Sequence, residues 1–142
     1  MKRVYQNRFG PPGKYCKEGG NCFGACVASI LNMELKDMPE FISIPDYTKM
    51  DILKICDFFH DIKINIGLYH LINYKIDKES IDIFGKPNLN KHYILCGSLP
   101  YDNKCHHARV AIGDGFTIVH DPNPNLFNIE FENILYLFAE RL

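Results

Sequence analysis

The stretch "GGNCFGACVASIL", Gly19 to Leu31, decides how the chain reads. Two glycines and an asparagine lead directly into a run of small and apolar residues that carries two cysteines four positions apart. Asn21 is a favoured helix N-cap, and from Cys22 to Met33 nearly every side of a helical wheel is apolar or small, which predicts a helix buried all round. A cysteine at the mouth of such a helix serves either packing or chemistry. The unpaired N–H groups and positive dipole end of the first turn favour a thiolate at Cys22.

Working outward, the Gly/Pro-rich "FGPPGKYCKEGG" before the helix reads as a loop, and "LKDMPEFISIPDY" after it as an irregular connector with two prolines. Thr48-Lys-Met-Asp51 has the form of a capping box. Ile52, Ile55, Cys56, Phe59 and Ile62 then recur at helical spacing against Lys49, Lys54, Asp57 and Asp61, so a second, amphipathic helix follows. From Lys63 onward the period turns towards two. "KINIGL", "HYILC", "HARVAI", "FTIVHD" and "FNIEF" read as strands between Gly, Pro, Asn and Asp. Helices first and an antiparallel sheet afterwards give an α+β domain, residues 1–142, with the Cys22 helix packed on the sheet.

In "HARVAIGDGFTIVHD" the hydrophobic pattern favours a three-residue loop, Gly113-Asp114-Gly115, with Gly115 left-handed, over a two-residue Asp-Gly turn. Ile112 then pairs with Phe116, and the pairing runs back to His107 opposite Asp121. Ala108, Val110, Ile112, Phe116, Ile118 and His120 share one face, and His107, Arg109, Ala111, Thr117, Val119 and Asp121 the other. Opposed residues have β-carbons about 4.5–5.5 Å apart, within reach for a carboxylate to orient an imidazole.

A cysteine opening a buried helix, a distant histidine on a strand and an aspartate on the next resemble the papain-like cysteine peptidases, in particular the small bacterial members that cleave double-glycine leader peptides. "GNCFGACVASIL" is similar to their nucleophile helix and "HARVAIGDGFTIVHDPNP" to their His and Asp strands, while "VYQNRFGPPG" is similar to the start of small papain-like proteins of bacteria and phages. Residues 42–90 match no family pattern. The resemblance implies Cys22 as nucleophile, His107 as base and then acid, Asp121 as the residue orienting His107, and Gln6 as an oxyanion-hole side chain beside the Cys22 N–H. It implies cleavage of an amide or peptide bond in a peptide or protein substrate through a thioester, without a cofactor. Deamidation or transamidation would use the same triad.

The remaining candidates have plainer readings. Cys26, Cys56 and Cys96 fit core packing, and strand alternation sends His106 to the apolar side. His120 reads as a satisfied core histidine, and His60, His70 and His92 carry no signal. Two non-enzymatic readings stay open: a papain-like binding module, and a zinc site drawn from Cys16, Cys22, Cys26, Cys105, His106 and His107, although only Cys22 and Cys26 approach the usual short ligand spacing.

Composition bounds the rest. With 46% hydrophobic and 23% charged residues, the chain has ordinary globular values. A net charge of −1 with dispersed basic residues argues against nucleic acid as a partner. No apolar run has the length of a signal-peptide core or a membrane span, so no membrane association is expected and a cytoplasmic location is. Six cysteines are about half the density of a disulfide scaffold, so free thiols are expected. The excess of lysine over arginine fits an AT-rich bacterial or phage genome. Oligomeric state leaves no mark in the sequence.

Overall fold

A computed structural model of the chain describes residues 1–9, 20–42, 50–100 and 102–142, the side chains of 102–105 excepted. Its first helix, α1 (Cys22–Leu31), follows from a composition of small and apolar residues that lets it be enclosed, and Phe23 to Ser29 are all buried. Asn32 ends it in the left-handed conformation, φ 57°, two residues short of the expected Met33, and its N–H donates to the carbonyls of Ala28 and Ser29. One side of α1, with Phe23, Cys26 and Val27, packs on the sheet; another, with Ala25 and Ala28, packs on Val4.

The second helix, α2 (Ile52–Asp61), is capped by Asp51, whose carboxylate accepts from the N–H of Lys54 at 3.1 Å. The expected box at Thr48 falls outside the described residues. The buried stripe of α2 is also narrower than the periodicity suggested: Ile55 and Phe59 are buried, whereas Cys56, Ile52 and Ile62 are exposed. Cys56 lies about 100° round the helix from Ile55, just past the edge of that stripe.

Six strands form one antiparallel sheet: β1 (Ile66–Ile72), β2 (Lys75–Ile76), β3 (Tyr93–Leu99), β4 (Asp102–Ile112), β5 (Thr117–His120) and β6 (Asn133–Glu140), in the order β2-β1-β6-β3-β4-β5. A third helix, α3 (Lys78–Phe84), lies against β1. The architecture among the described residues is therefore α+β, with three α-helices and the sheet.

The expected strand "FNIEF" does not form. After a short 3-10 turn at Pro124–Leu126, Phe131 turns inward beneath the guanidinium of Arg109 instead of pairing with a neighbour. The chain then enters β6, which runs between β1 and β3. A strand flanked on both sides and covered on both faces loses the period-two signature. In β3 every residue is buried.

The two faces of the sheet carry separate clusters. Ile94, Cys96, Ala108, Val110 and Phe138 lie under α1 and α2, and Tyr69, Tyr93, Leu95, Ala111 and Leu137 lie on the other side. The β4–β5 hairpin differs from the expected register. Ile112 pairs with Thr117 and Ala111 with Ile118, so the loop has four residues, and its positive φ values fall at Gly113 and Phe116 rather than Gly115. A bulge then skips Val119, and Val110 pairs with His120. His107 is consequently not opposite Asp121, and near the turn Ile118 joins Ala111 rather than Val110. Two single-residue shifts add to an even number, so beyond the bulge the expected faces return.

Candidate active site

Cys22 is the first residue of α1 and half-buried, and the imidazole of His107 and the N–H of Ala108 both act on its thiol to favour the thiolate. His107 is 8% exposed on β4, and its Nε2 lies 2.8 Å from Oδ1 of Asp121. With Nε2 engaged by the carboxylate, the ring nitrogen left for Cys22 is Nδ1. Asp121, 1% exposed, follows the end of β5; its Oδ1 also accepts from the Asn123 N–H at 2.8 Å and its Oδ2 from Nε of Arg109 at 2.6 Å. One step beyond the last ladder pair, Val110 and His120, the residues facing one another are Arg109 and Asp121. His107 reaches the carboxylate diagonally.

The electrostatics run along this line. Burial pushes the Cys22 thiol up, but the hydrogen bond and charge of His107 and the Ala108 N–H outweigh it and hold the thiol below its usual value. Burial works against an imidazolium at His107, yet the hydrogen bonds and charges of Asp121 and Cys22 raise it to about 9. Burial likewise opposes an ionised Asp121, and His107, Arg109 and the Asn123 N–H together hold its carboxyl below the ordinary carboxylate range. Both shifts favour charge separation between thiol and imidazole.

The neighbouring candidates sit elsewhere. His106 is exposed, with Nδ1 3.2 Å from the hydroxyl of Tyr136. His120 is buried, with Nε2 2.7 Å from the carbonyl of Val4 and its ring edge-on to Tyr5. Cys26 and Cys96 are buried and their thiols are pushed well up, burial being the main cause for each. Among the described residues, no group of three or more His, Cys, Asp or Glu is arranged to hold a metal ion. Cys16 and the Cys105 side chain lie outside the described residues. Nor, among those residues, is any helix long and apolar enough to cross a membrane.

Gln6 is 9% exposed and is tied to both ends of the constellation. Its N–H donates to the carbonyl of Pro122, next to Asp121, at 3.1 Å, and its Nε2 donates to the carbonyl of Arg8 at 2.8 Å. That same carbonyl receives the N–H of Asn21, next to Cys22, at 3.3 Å. Among the described residues, the Oε1 of Gln6 has no partner.

Asn21 departs from expectation. It stands at the N-cap of α1 without capping it, because its side-chain oxygen accepts from the N–H groups of Asn7 and Arg8 instead. The side chain that would have occupied the first-turn N–H groups of α1 is used to fasten the Gln6 segment beside them.

The sequence reading placed Arg109 on the face of His107 and Asp121 but gave it no part. It is 1% exposed, and besides Asp121 its Nη2 donates to the carbonyls of Leu126 at 2.7 Å and Ile129 at 2.5 Å. The available signal was a charged residue two positions from His107 in a strand otherwise built for burial. Comparisons of the chain with protein families, with curated proteins and with solved structures each give no match.

Proposed function

We propose that this chain is a papain-like thiol enzyme that cleaves an amide or peptide bond, with Cys22 as nucleophile, His107 as general base and acid, and Asp121 orienting His107. The observation that carries this reading is the line Cys22–His107–Asp121, in which the carboxylate holds the imidazole at 2.8 Å and the thiol at the helix mouth is lowered while the thiol of Cys26, one turn deeper, is raised.

His107 Nδ1 takes the thiol proton, and the thiolate adds to the carbonyl carbon of the substrate. The oxygen that becomes negative meets the first-turn N–H groups of α1, with the second N–H of the Gln6 amide as a further donor. As the tetrahedral intermediate collapses, the proton on Nδ1 passes to the leaving nitrogen, and a thioester on Cys22 remains. Water, deprotonated by the now neutral His107, releases the acid and restores the thiol. A peptide or protein is the substrate class, and an amine in place of water would make the same residues a transamidase.

Two measurements test this. Brief iodoacetamide treatment at neutral pH, resolved by peptide mapping, should label Cys22 ahead of the other five thiols; preferential labelling of Cys16 or Cys105 overturns the assignment. Activated peptide esters should then leave a hydroxylamine-sensitive acyl group on Cys22 and none on the Cys22→Ala protein. An acyl adduct that survives that substitution refutes the reading.

A further inference from the structure

Asp121 is an almost completely buried carboxylate with two basic neighbours, His107 at 2.8 Å on one oxygen and Arg109 at 2.6 Å on the other. A buried charge left without its counter-charge is strongly destabilising. In the mechanism proposed above, on which this inference rests, His107 alternates between imidazolium and neutral imidazole. His107 alone would therefore pair Asp121 for only part of each turnover. A guanidinium is a permanent cation in proteins, so the charge of Arg109 is present throughout.

The guanidinium is fixed from three further sides. Nη2 donates to the carbonyls of Leu126 and Ile129, and the carbon of the guanidinium stands 4.4 Å from the centre of the Phe131 ring. A lysine ammonium could pair with the carboxylate, but it lacks the planar fork that serves the carboxylate and the two carbonyls at once.

We infer that Arg109 is the positioning residue of this site: it keeps Asp121 ionised and aimed at His107 in both protonation states of the imidazole, and its charge sets the pH range in which the Cys22–His107 pair is active. The other titratable groups packed around the cluster, among the described residues, are Cys22 and Cys26 from α1, Cys96 from β3 and Tyr136 from β6, and burial holds the last three neutral. Arg109 is thus the permanent cation that balances Asp121. Removing it makes the surroundings more negative, so the Cys22, His107 and Asp121 protons are all held more tightly and the active range moves upward as a whole.

The first test reads the rate of Cys22 alkylation by iodoacetamide against pH, together with the alkaline limb of activated-ester hydrolysis. In Arg109→Gln both midpoints should rise by about one pH unit, the scale of one unit charge removed a few ångströms away. In Arg109→Lys they should stay near the wild-type values, even though the melting temperature falls. A folded Arg109→Gln protein with wild-type midpoints overturns the inference, and so does an Arg109→Lys protein whose midpoints shift as far as those of Arg109→Gln.

A second measurement uses the wild-type protein and does not depend on the folding of Arg109→Gln. The Nε–H proton of Arg109 should remain visible and slow to exchange by NMR from about pH 6 to about pH 10, on both sides of the His107 value of about 9. Its disappearance as His107 loses its proton overturns the inference. Wild-type protein in which Cys22 is no more reactive than the other thiols would sink the thiol-enzyme reading itself. Selective Cys22 labelling with unmoved midpoints sinks only the role of Arg109.

Discussion

Cys22 and Cys26 stand one turn apart on α1 and differ in almost everything a thiol responds to. At the helix mouth, Cys22 is half-buried and faces an imidazole and a backbone N–H; one turn in, Cys26 is fully enclosed among Phe23, Val27 and the sheet. Burial raises both thiols, and only at Cys22 is it overcome. About 6 Å of helix therefore separates a reactive position from an inert one, and what distinguishes them is access to His107.

The largest effect that would break this contrast is loss of the nucleophile. Cys22→Ala should lower ester turnover to background while leaving the melting temperature within a few degrees, because the side chain is only half-buried. His107→Ala should cost about 10⁶-fold in turnover, as removal of the base from such a triad does, whereas the exposed His106→Ala should stay within about threefold. If His106→Ala abolishes activity in a folded protein and His107→Ala spares it, the site has been built on the wrong histidine. Asp121→Asn keeps shape but withdraws the charge that holds the imidazolium, and a loss of about 10²–10⁴-fold is expected.

The pH dependence sharpens the same contrast. The thiolate–imidazolium pair forms once pH exceeds the lowered Cys22 value and is lost as pH rises through about 9, so turnover should be bell-shaped with its alkaline limb near there. In stability the raised His107 contributes fully below its unfolded value of about 6.5, and that contribution fades as pH rises through about 9. Thermal melts of wild type and His107→Ala should accordingly converge above that pH. The depressed Asp121 contributes in the opposite sense, its share being lost as pH falls through its lowered value. The smallest change is at the deeper thiol: Cys26→Ser places a hydroxyl in an apolar enclosure and should cost about 1–3 kcal/mol in denaturant melts with the alkylation rate of Cys22 unchanged.

Patterning made the α+β class legible, along with both early helices and the burial of Cys26 and Cys96, because those features depend on local periodicity. It missed β6, because "NILYLFAE" runs between two strands and shows no alternation, and it mistook "FNIEF" for a strand although Phe131 is committed to Arg109. The seven-residue α3 was missed as well, despite Asp77 offering its carboxylate to the Glu79 N–H at the helix start. Within the site, the grouping of His107, Arg109 and Asp121 on one side was readable from parity. The diagonal approach of His107 and the anchoring of Arg109 by two loop carbonyls depend on a bulge and a 3-10 turn, neither of which leaves a residue pattern.

The bulge at Val119 gives the hairpin an arithmetic of its own. Whether the Asp121 carboxylate meets the imidazole depends on the parity of the residue count from Thr117 to Asp121, not on the length of the loop. A residue added between Gly113 and Phe116 only lengthens the loop while Ile112 still pairs with Thr117, whereas a residue added to the ladder between Thr117 and His120 would act at a distance, turning Asp121 away from His107 as surely as replacing it.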